Sequence, residues 1–242
     1  KYRADGAVGS SWHPYVHDDG SVTPPIQEDE TALVLFLFGQ LYRSTNDQRL
    51  MKRFYEPMVV PMADFLASYI DSSTGLPKPS YDLWEEQYMT TTYTTAVVYA
   101  ALSAAADLAD DNHDDGHAVA WRAVASDIAE AARKHLVNRD RDALYKGLRR
   151  HADGSYEPDQ TIDLSSIYGT FMFGLFPADG DIVERAVRTA RRVFSVSSDH
   201  PGVPRYENDN YRRSNPASLG NWWFVTSLWL AQYDLEKGDA AS

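Results

Sequence analysis

The residues best suited to chemistry in this chain lie in the run Pro-Ser-Tyr-Asp-Leu-Trp-Glu-Glu (79–86). Two adjacent carboxylates, Glu85 and Glu86, follow Trp84 just ahead of a long apolar segment. A carboxylic acid stays protonated near neutral pH when an apolar wall disfavours its ionised form and a like charge stands close by. Trp84 and the paired glutamate could supply both, which would suit a general acid that protonates a glycosidic oxygen. The same pair would also serve as an ordinary solvated helix start, since carboxylates complement the positive end of a helix dipole. Taken alone, these residues favour the ordinary reading.

Three further segments share this character: Pro-Ile-Gln-Glu-Asp-Glu (25–30), Asp-Gln-Thr-Ile-Asp (159–163) and Arg-Tyr-Glu-Asn-Asp-Asn-Tyr (205–211). Together with Trp12, Trp84 and Tyr81 they offer Gln27, Asp29, Asp163, Arg205 and Tyr206. Aromatic faces mixed with amide, carboxylate and guanidinium groups are what a sugar ring needs, apolar faces to stack on and polar edges to bond. Each piece also has a plainer use. Gln27 and its acidic neighbours could cap a helix, and Arg205 beside Glu207 and Asp209 could be a surface ion pair. Trp222, Trp223 and Trp229 sit in an apolar run and read as core. The stretch Asn-His-Asp-Asp-Gly-His (112–117) has metal-capable groups but no further convergent ligands, and His13 and His17 fare no better. No metal and no cofactor are expected, and no G-x-S-x-G elbow, phosphate loop or H-E-x-x-H helix occurs.

The elements that must position these residues are helical, and they alternate between two kinds. Segments 31–42, 91–109, 164–176 and 222–233 are apolar nearly all round and must be buried on all sides. Segments 47–70, 116–137 and 181–194 are amphipathic. In the second of these, Ala118, Trp121, Ala125, Ile128, Ala132 and Leu136 recur at three- and four-residue steps. Pro57 and Pro61 should kink or interrupt the first. The order inner, outer, inner, outer, inner, outer, inner predicts an α/α toroid, with a plain helical bundle as the alternative. A short hairpin is expected between residues 139 and 163. In such an arrangement every outer-to-inner connection emerges on one rim, and all four chemistry-bearing segments fall in those connections. The opposite connections are plain.

Composition narrows the classes. With 242 residues, 43% of them apolar, the chain can bury a sizeable core, and no linker divides residues 1–242, so they read as one unit. The absence of cysteine removes disulfides and thiolate chemistry. A net charge of −12 argues against nucleic acid, and no apolar run is long enough to cross a membrane. The 25 aspartates against 10 glutamates, and 17 arginines against 6 lysines, suit a halophilic source. The cluster Arg185, Arg188, Arg191 and Arg192 reads as a solvated outer face. The chain begins at Lys1 and no signal pattern opens it, which carries little weight; a cytoplasmic location is the working expectation.

With four rim motifs in hand, the chain resembles glycoside hydrolase family 15, the glucoamylase-like enzymes, and especially their archaeal and bacterial branch. The resemblance rests on Pro-Ile-Gln-Glu-Asp-Glu-Thr-Ala-Leu (25–33), Ser-Tyr-Asp-Leu-Trp-Glu-Glu (80–86), Arg-Tyr-Glu-Asn-Asp (205–209) and Leu-Trp-Leu-Ala-Gln-Tyr (228–233). It implies an all-α (α/α)6 toroid and inverting attack on α-glucosidic bonds from non-reducing ends. By motif position Glu85 would be the general acid. Glu86, Arg205, Gln27 and Asp29 would shape a glucose pocket, lined by Trp84 with Trp223 near it. An α-glucan oligosaccharide or a disaccharide would be the partner. Two stretches depart from the family pattern. Its Arg-x-Gly after the paired glutamates reads Gln87-Tyr88-Met89, and its Gly-Asn-Pro-Trp reads Gly220-Asn221-Trp222-Trp223.

The family's general-base glutamate follows the last helix read here, and its Arg-Asp substrate motif precedes the region. Seven helices are read against the twelve of a full toroid. The chain is therefore expected to be the central part of a catalytic domain, inactive alone, with exposed apolar edges that promote self-association. Trehalase or glucodextranase activity is the alternative within the family. A non-catalytic carbohydrate-sensing or regulatory domain is the alternative outside enzymes.

Overall fold

The computed structural model of the protein describes residues 15–16, 22–23 and 26–238, so Trp12, His13 and His17 lie outside the described residues. The helices are α1 (Glu28–Thr45), α2 (Gln48–Phe54), α3 (Val60–Ser68), α4 (Thr92–Asp111), α5 (Asp115–His135), α6 (Leu164–Met172), α7 (Asp181–Val193) and α8 (Phe224–Glu236). A π-helical turn, Tyr55–Val59, joins α2 to α3. Proline lacks the amide that a continuous helix needs, and the widened turn at Pro57 absorbs the fault, as the prolines predict. Among the described residues α2, the π turn and α3 therefore count as one bent arm, and seven helical arms alternate between an inner and an outer layer.

The inner arms are α1, α4, α6 and α8, each packed on the next. At the centre, α4 is buried along almost its whole length, with alanines at 96, 100, 101, 104, 105, 106 and 109. Small side chains let neighbours approach closely: a Cβ at Gly39 of α1 would stand 2.9 Å from Ala104 Cβ. The outer arms cover this layer. Five of the six periodic residues named above lie in α5 and Leu136 follows it, all six buried, while Arg122, Asp127, Glu130, Arg133 and Lys134 face solvent.

Burial on all sides holds for α4 but not at the ends of the arc. Val34, Leu37 and Leu41 of α1 and Val225, Leu228 and Leu235 of α8 are exposed. Each end helix has an inner neighbour on one flank only, so the apolar stripe that would face a second neighbour stays open. Two apolar segments are also shorter than predicted. The third leaves the helix at Phe173 and Gly174, the latter at φ 69°, and the last begins at Phe224, leaving Trp222 and Trp223 ahead of it. The arginine row is only partly solvated, since Arg191 reaches Asp234 of α8 at 2.5 Å.

The strands are β1 (Tyr15–Val16), β2 (Val22–Thr23), β3 (Ser80–Tyr81), β4 (Tyr88–Thr91), β5 (Val137–Asn138), β6 (Ala143–Leu144), β7 (Gly147–Arg150) and β8 (Tyr156–Asp159). The expected hairpin is the β7–β8 pair. It extends into a four-stranded antiparallel sheet, β3-β4-β7-β8, which periodicity did not predict because the strands are too short to alternate. Its tightest point is Gly147. A Cβ there would fall 2.1 Å from the Thr90 carbonyl oxygen and 2.9 Å from Thr91 Cα. Only a residue without a side chain lets β7 lie this close to β4.

Candidate active site

The acidic pair stands on the β3–β4 connection, not in the first turn of a helix. Helix α4 begins at Thr92 and is capped by Thr91, whose hydroxyl accepts from Thr94 N at 3.1 Å. The ordinary helix-start reading of Glu85 and Glu86 is thereby replaced. Asp82 organises the turn: Oδ1 accepts from the amides of Glu86 (2.8 Å) and Gln87 (3.0 Å). The main chain closes it, with Asp82 O accepting from Glu85 N and Asp82 N donating to Gln87 O, both at 2.8 Å. Glu85 sits at the tip with φ 57°, a left-handed conformation that costs an L residue about 1–2 kcal/mol unless its surroundings hold it. Both glutamates are exposed.

Beneath the turn lies a buried ion cluster. Lys146, just before β7, places Nζ 3.1 Å from Asp82 Oδ2 and 3.3 Å from Asp163 Oδ2. Burial alone would lower the lysine pKa, but the charges of Asp163 and Asp82 outweigh it and hold the ammonium above its usual value. Asp163 caps α6, with Oδ1 accepting from Ser165 N at 2.8 Å. The same carboxylate accepts from Trp84 Nε1, 3.1 Å from Oδ2, which fixes the indole next to the acidic pair.

The fourth segment docks here through its backbone. Leu164 N donates to Arg205 O (3.0 Å) and Glu207 N to Ile162 O (2.8 Å). Arg205 is nearly buried. Its Nε and Nη2 each lie 2.8 Å from an oxygen of Asp209, and Nη2 also reaches Glu86 Oε1 at 2.8 Å. Tyr206 donates its hydroxyl to the other oxygen of Glu86. Four rings surround the guanidinium, with centroids 5.0–5.2 Å away: Trp84, Tyr206, Tyr211 and Trp223. The surface-pair reading of Arg205 therefore fails; Nη1 is left without a hydrogen-bond partner among the described residues.

The start of α1 joins the same rim, where Tyr81 N donates to Ile26 O at 3.1 Å. Gln27 is the half-buried residue ahead of the helix and its side chain makes no capping bond. Glu28 and Asp29 occupy the first turn but are buried, so only the exposed Glu30 behaves as a solvated dipole partner. Burial pushes the Glu28 carboxyl up to about 8, opposed by Ser80. It pushes Asp29 up to about 7, with the charges of Glu30 and Asp82 adding to the rise.

An aromatic ladder leads from the rim into the inner layer. Trp84 lies 5.9 Å from Trp229 of α8, which stacks on Tyr168 of α6 at 4.4 Å. Trp229 thus packs as core, as expected. Trp222 does not: it is 57% exposed. Trp223 is half-buried beside Arg205 and Tyr211, its Nε1 buried without a partner among the described residues.

On the opposite rim, His117 pairs with Asp114 at 2.6 Å and stacks on Trp121. Among the described residues no group of three or more His, Cys, Asp or Glu is set to hold a metal, and no helix is long and apolar enough to cross a membrane.

The structure gathers Glu85, Glu86, Trp84, Arg205 and Trp223 into one cluster, with Gln27 and Asp29 on the adjoining helix start. Sequence reasoning missed Asp82, Lys146 and the burial of Glu28 and Asp209. Lys146 left one signal, a lysine among the apolar residues of Leu-Tyr-Lys-Gly-Leu (144–148) in a chain with only six lysines.

Comparison with known proteins gives a consistent result. The family described as Glycosyl hydrolases family 15 matches residues 6–240. An uncharacterized glycosyl hydrolase of Methanocaldococcus jannaschii is 25% identical over 230 residues, covering 95% of this chain and 34% of that protein. A glycosidase in complex with glucose superposes with a TM-score of 0.71 at 21% identity, over 92% of this chain and 53% of its own. A bacterial glucoamylase complexed with acarbose gives 0.69 at 19% identity, over 89% and 33%. Glucoamylase from Saccharomycopsis fibuligera gives 0.67 at 21% identity, over 93% and 51%. These likenesses show a shared fold, of which the arc of helices described above is a part. The chain spans about a third of the length of the curated relative and a third to a half of these structures.

Proposed function

Because the chain belongs to glycosyl hydrolase family 15, we propose that it supplies the general-acid half of an inverting α-glucosidase of glucoamylase type. Glu85 protonates the glycosidic oxygen as the bond to C1 breaks. A second carboxylate takes a proton from water, which attacks C1 from the opposite face and leaves glucose in the β configuration. That base is expected in the part of the parent protein outside this chain, so the 242 residues alone should be inactive. One observation carries the reading: the turn built on Asp82 presents Glu85 beside a glutamate that Arg205 and Tyr206 already hold.

The remaining roles follow from that geometry. Glu86 and Arg205 form the polar floor against which a terminal glucose would bond, with Arg205 Nη1 as the donor left over. Trp84 gives an apolar wall, and Gln27 and Asp29 close the side formed by α1. Glucose and acarbose in the related structures support a glucose-type ligand. The exposed stripes of α1 and α8 are the surfaces through which the isolated chain would self-associate.

The test is to incubate the parent protein with maltose, isomaltose and trehalose and follow the anomer released. β-Glucose is expected, and the preferred disaccharide separates glucoamylase from glucodextranase and trehalase. Retention of the α configuration in the glycosyl unit whose C1 bond breaks, the leaving glucose keeping its own anomeric form, or no hydrolysis of any of the three, overturns the proposal.

A further inference from the structure

We propose that Lys146 is a positioning residue for the general acid: by tying Asp82 to Asp163 it fixes the turn that presents Glu85, without touching substrate. This deepens the glycosidase reading and rests on it. Lys146 is 2% exposed, so its ammonium is closed off from a sugar. The two carboxylates it bridges are equally buried, and each holds part of the site. Asp82 Oδ1 grips the amides of Glu86 and Gln87, while Oδ2 meets Lys146 at 3.1 Å. Asp163 caps α6 and holds Trp84, and its Oδ2 meets Lys146 at 3.3 Å.

The same ammonium lies 4.3 Å over the ring of Tyr206, whose hydroxyl bonds Glu86. One cation therefore reaches Glu85 through Asp82 and Glu86 through Tyr206. The backbone fixes the lysine in turn. Its amide donates to Asp159 O at 2.9 Å and its carbonyl accepts from Thr92 N at 3.0 Å. Without the cation, two buried carboxylates would be left uncompensated. Asp82 would be drawn to turn away from the buried site. That movement releases the amides of Glu86 and Gln87 and loosens the turn that holds Glu85 at φ 57°.

A residue that merely stabilises the fold would, when lost, lower turnover of every substrate alike. A residue that positions the acid acts only where the leaving group needs a proton. Maltose needs one, whereas α-glucosyl fluoride expels fluoride unaided. The experiment compares the parent protein with its Lys146→Met and Lys146→Arg variants on both substrates. Lys146→Met should lose roughly 100-fold in kcat on maltose while staying within about threefold on α-glucosyl fluoride. Lys146→Arg, which keeps the charge, should recover part of the maltose activity.

A parallel fall on both substrates, or no fall on maltose, overturns the inference. If the methionine variant does not fold, the arginine variant is judged by the same ratio. Hydrogen exchange at the Glu86 and Gln87 amides gives a readout independent of turnover, and it should speed up in both variants. Unchanged exchange in a folded variant overturns the hold on the turn. A parent that hydrolyses neither sugar instead overturns the glycosidase reading, with the exchange result still deciding whether Lys146 holds the turn.

Discussion

Arg205 donates through Nη2 to Glu86 Oε1 at 2.8 Å, across 119 positions of sequence. The bond joins the acidic turn to the segment that follows α7, and Asp209 takes the rest of the guanidinium fork. Arginine suits this place because it is planar and can bond one carboxylate through two nitrogens while stacking against rings.

Arg205→Lys should therefore not be conservative. A lysine cannot keep both bonds to Asp209 and still reach Glu86, which leaves buried carboxylate oxygens unpaired. In the parent protein KM for maltose should rise by about tenfold or more, and thermal unfolding should show a loss of about 2 kcal/mol. An unchanged KM would remove Arg205 from the binding site.

Glu85→Gln in the parent protein should remove most turnover and leave binding of a glucose-type ligand close to wild type, since the amide keeps the shape but cannot deliver a proton. A kcat loss of about 100-fold or more is expected on maltose. Retention of activity would take Glu85 out of the acid role.

Glu28 and Asp29 make stability depend on pH. Their folded pKa values, about 8 and about 7, lie above the ordinary values of 4.5 and 3.8. Between those limits the folded state binds more protons than the unfolded state, so stability is greatest at low pH and falls as pH rises toward 8. Denaturant unfolding between pH 5 and pH 8 should show a decline on the order of 6 kcal/mol, roughly halved by Glu28→Gln. Stability that rises over this range would contradict the burial of the pair.

Gly147→Ala should destabilise by about 1–3 kcal/mol, because its methyl group would enter the space held by Thr90 O and Thr91 Cα. The same change would push Lys146 away from Asp82, so turnover of maltose should fall with stability. Circular dichroism melts and kcat on one preparation would check both.

The open stripes predict association of the isolated chain. Leu37 and Leu228 are 60% and 65% exposed on the two end helices. Leu37→Glu with Leu228→Glu should shift the species seen by sedimentation toward monomer. A wild-type chain that is already monomeric at high concentration would sink this expectation.

Much of this was legible in sequence, for physical reasons that can be named. Helix α5 was read almost to the residue because its apolar period matches its burial. The bend in the first outer arm was read from Pro57 and Pro61. The gathering of four connections on one rim followed from alternation alone. Other features could not be read in this way. Strands β3 and β4 are too short for period-two alternation to register, so the acidic pair was placed at a helix start when it crowns a hairpin. Lys146, Asp82 and Asp163 are 17 to 81 positions apart in sequence and meet only through tertiary packing. Trp222 was read as core because an apolar run gives no sign of where its helix begins.

The separation of Glu86 from Arg205 bears on how the molecule comes together. Helical arms form from contacts close in sequence, whereas the rim needs pairings 79 positions apart for Trp84 with Asp163 and 119 for Glu86 with Arg205. Loop-closure entropy grows with such distances and must be overcome before those contacts give anything back. The candidate site is therefore expected to assemble late in folding, after the helical arms.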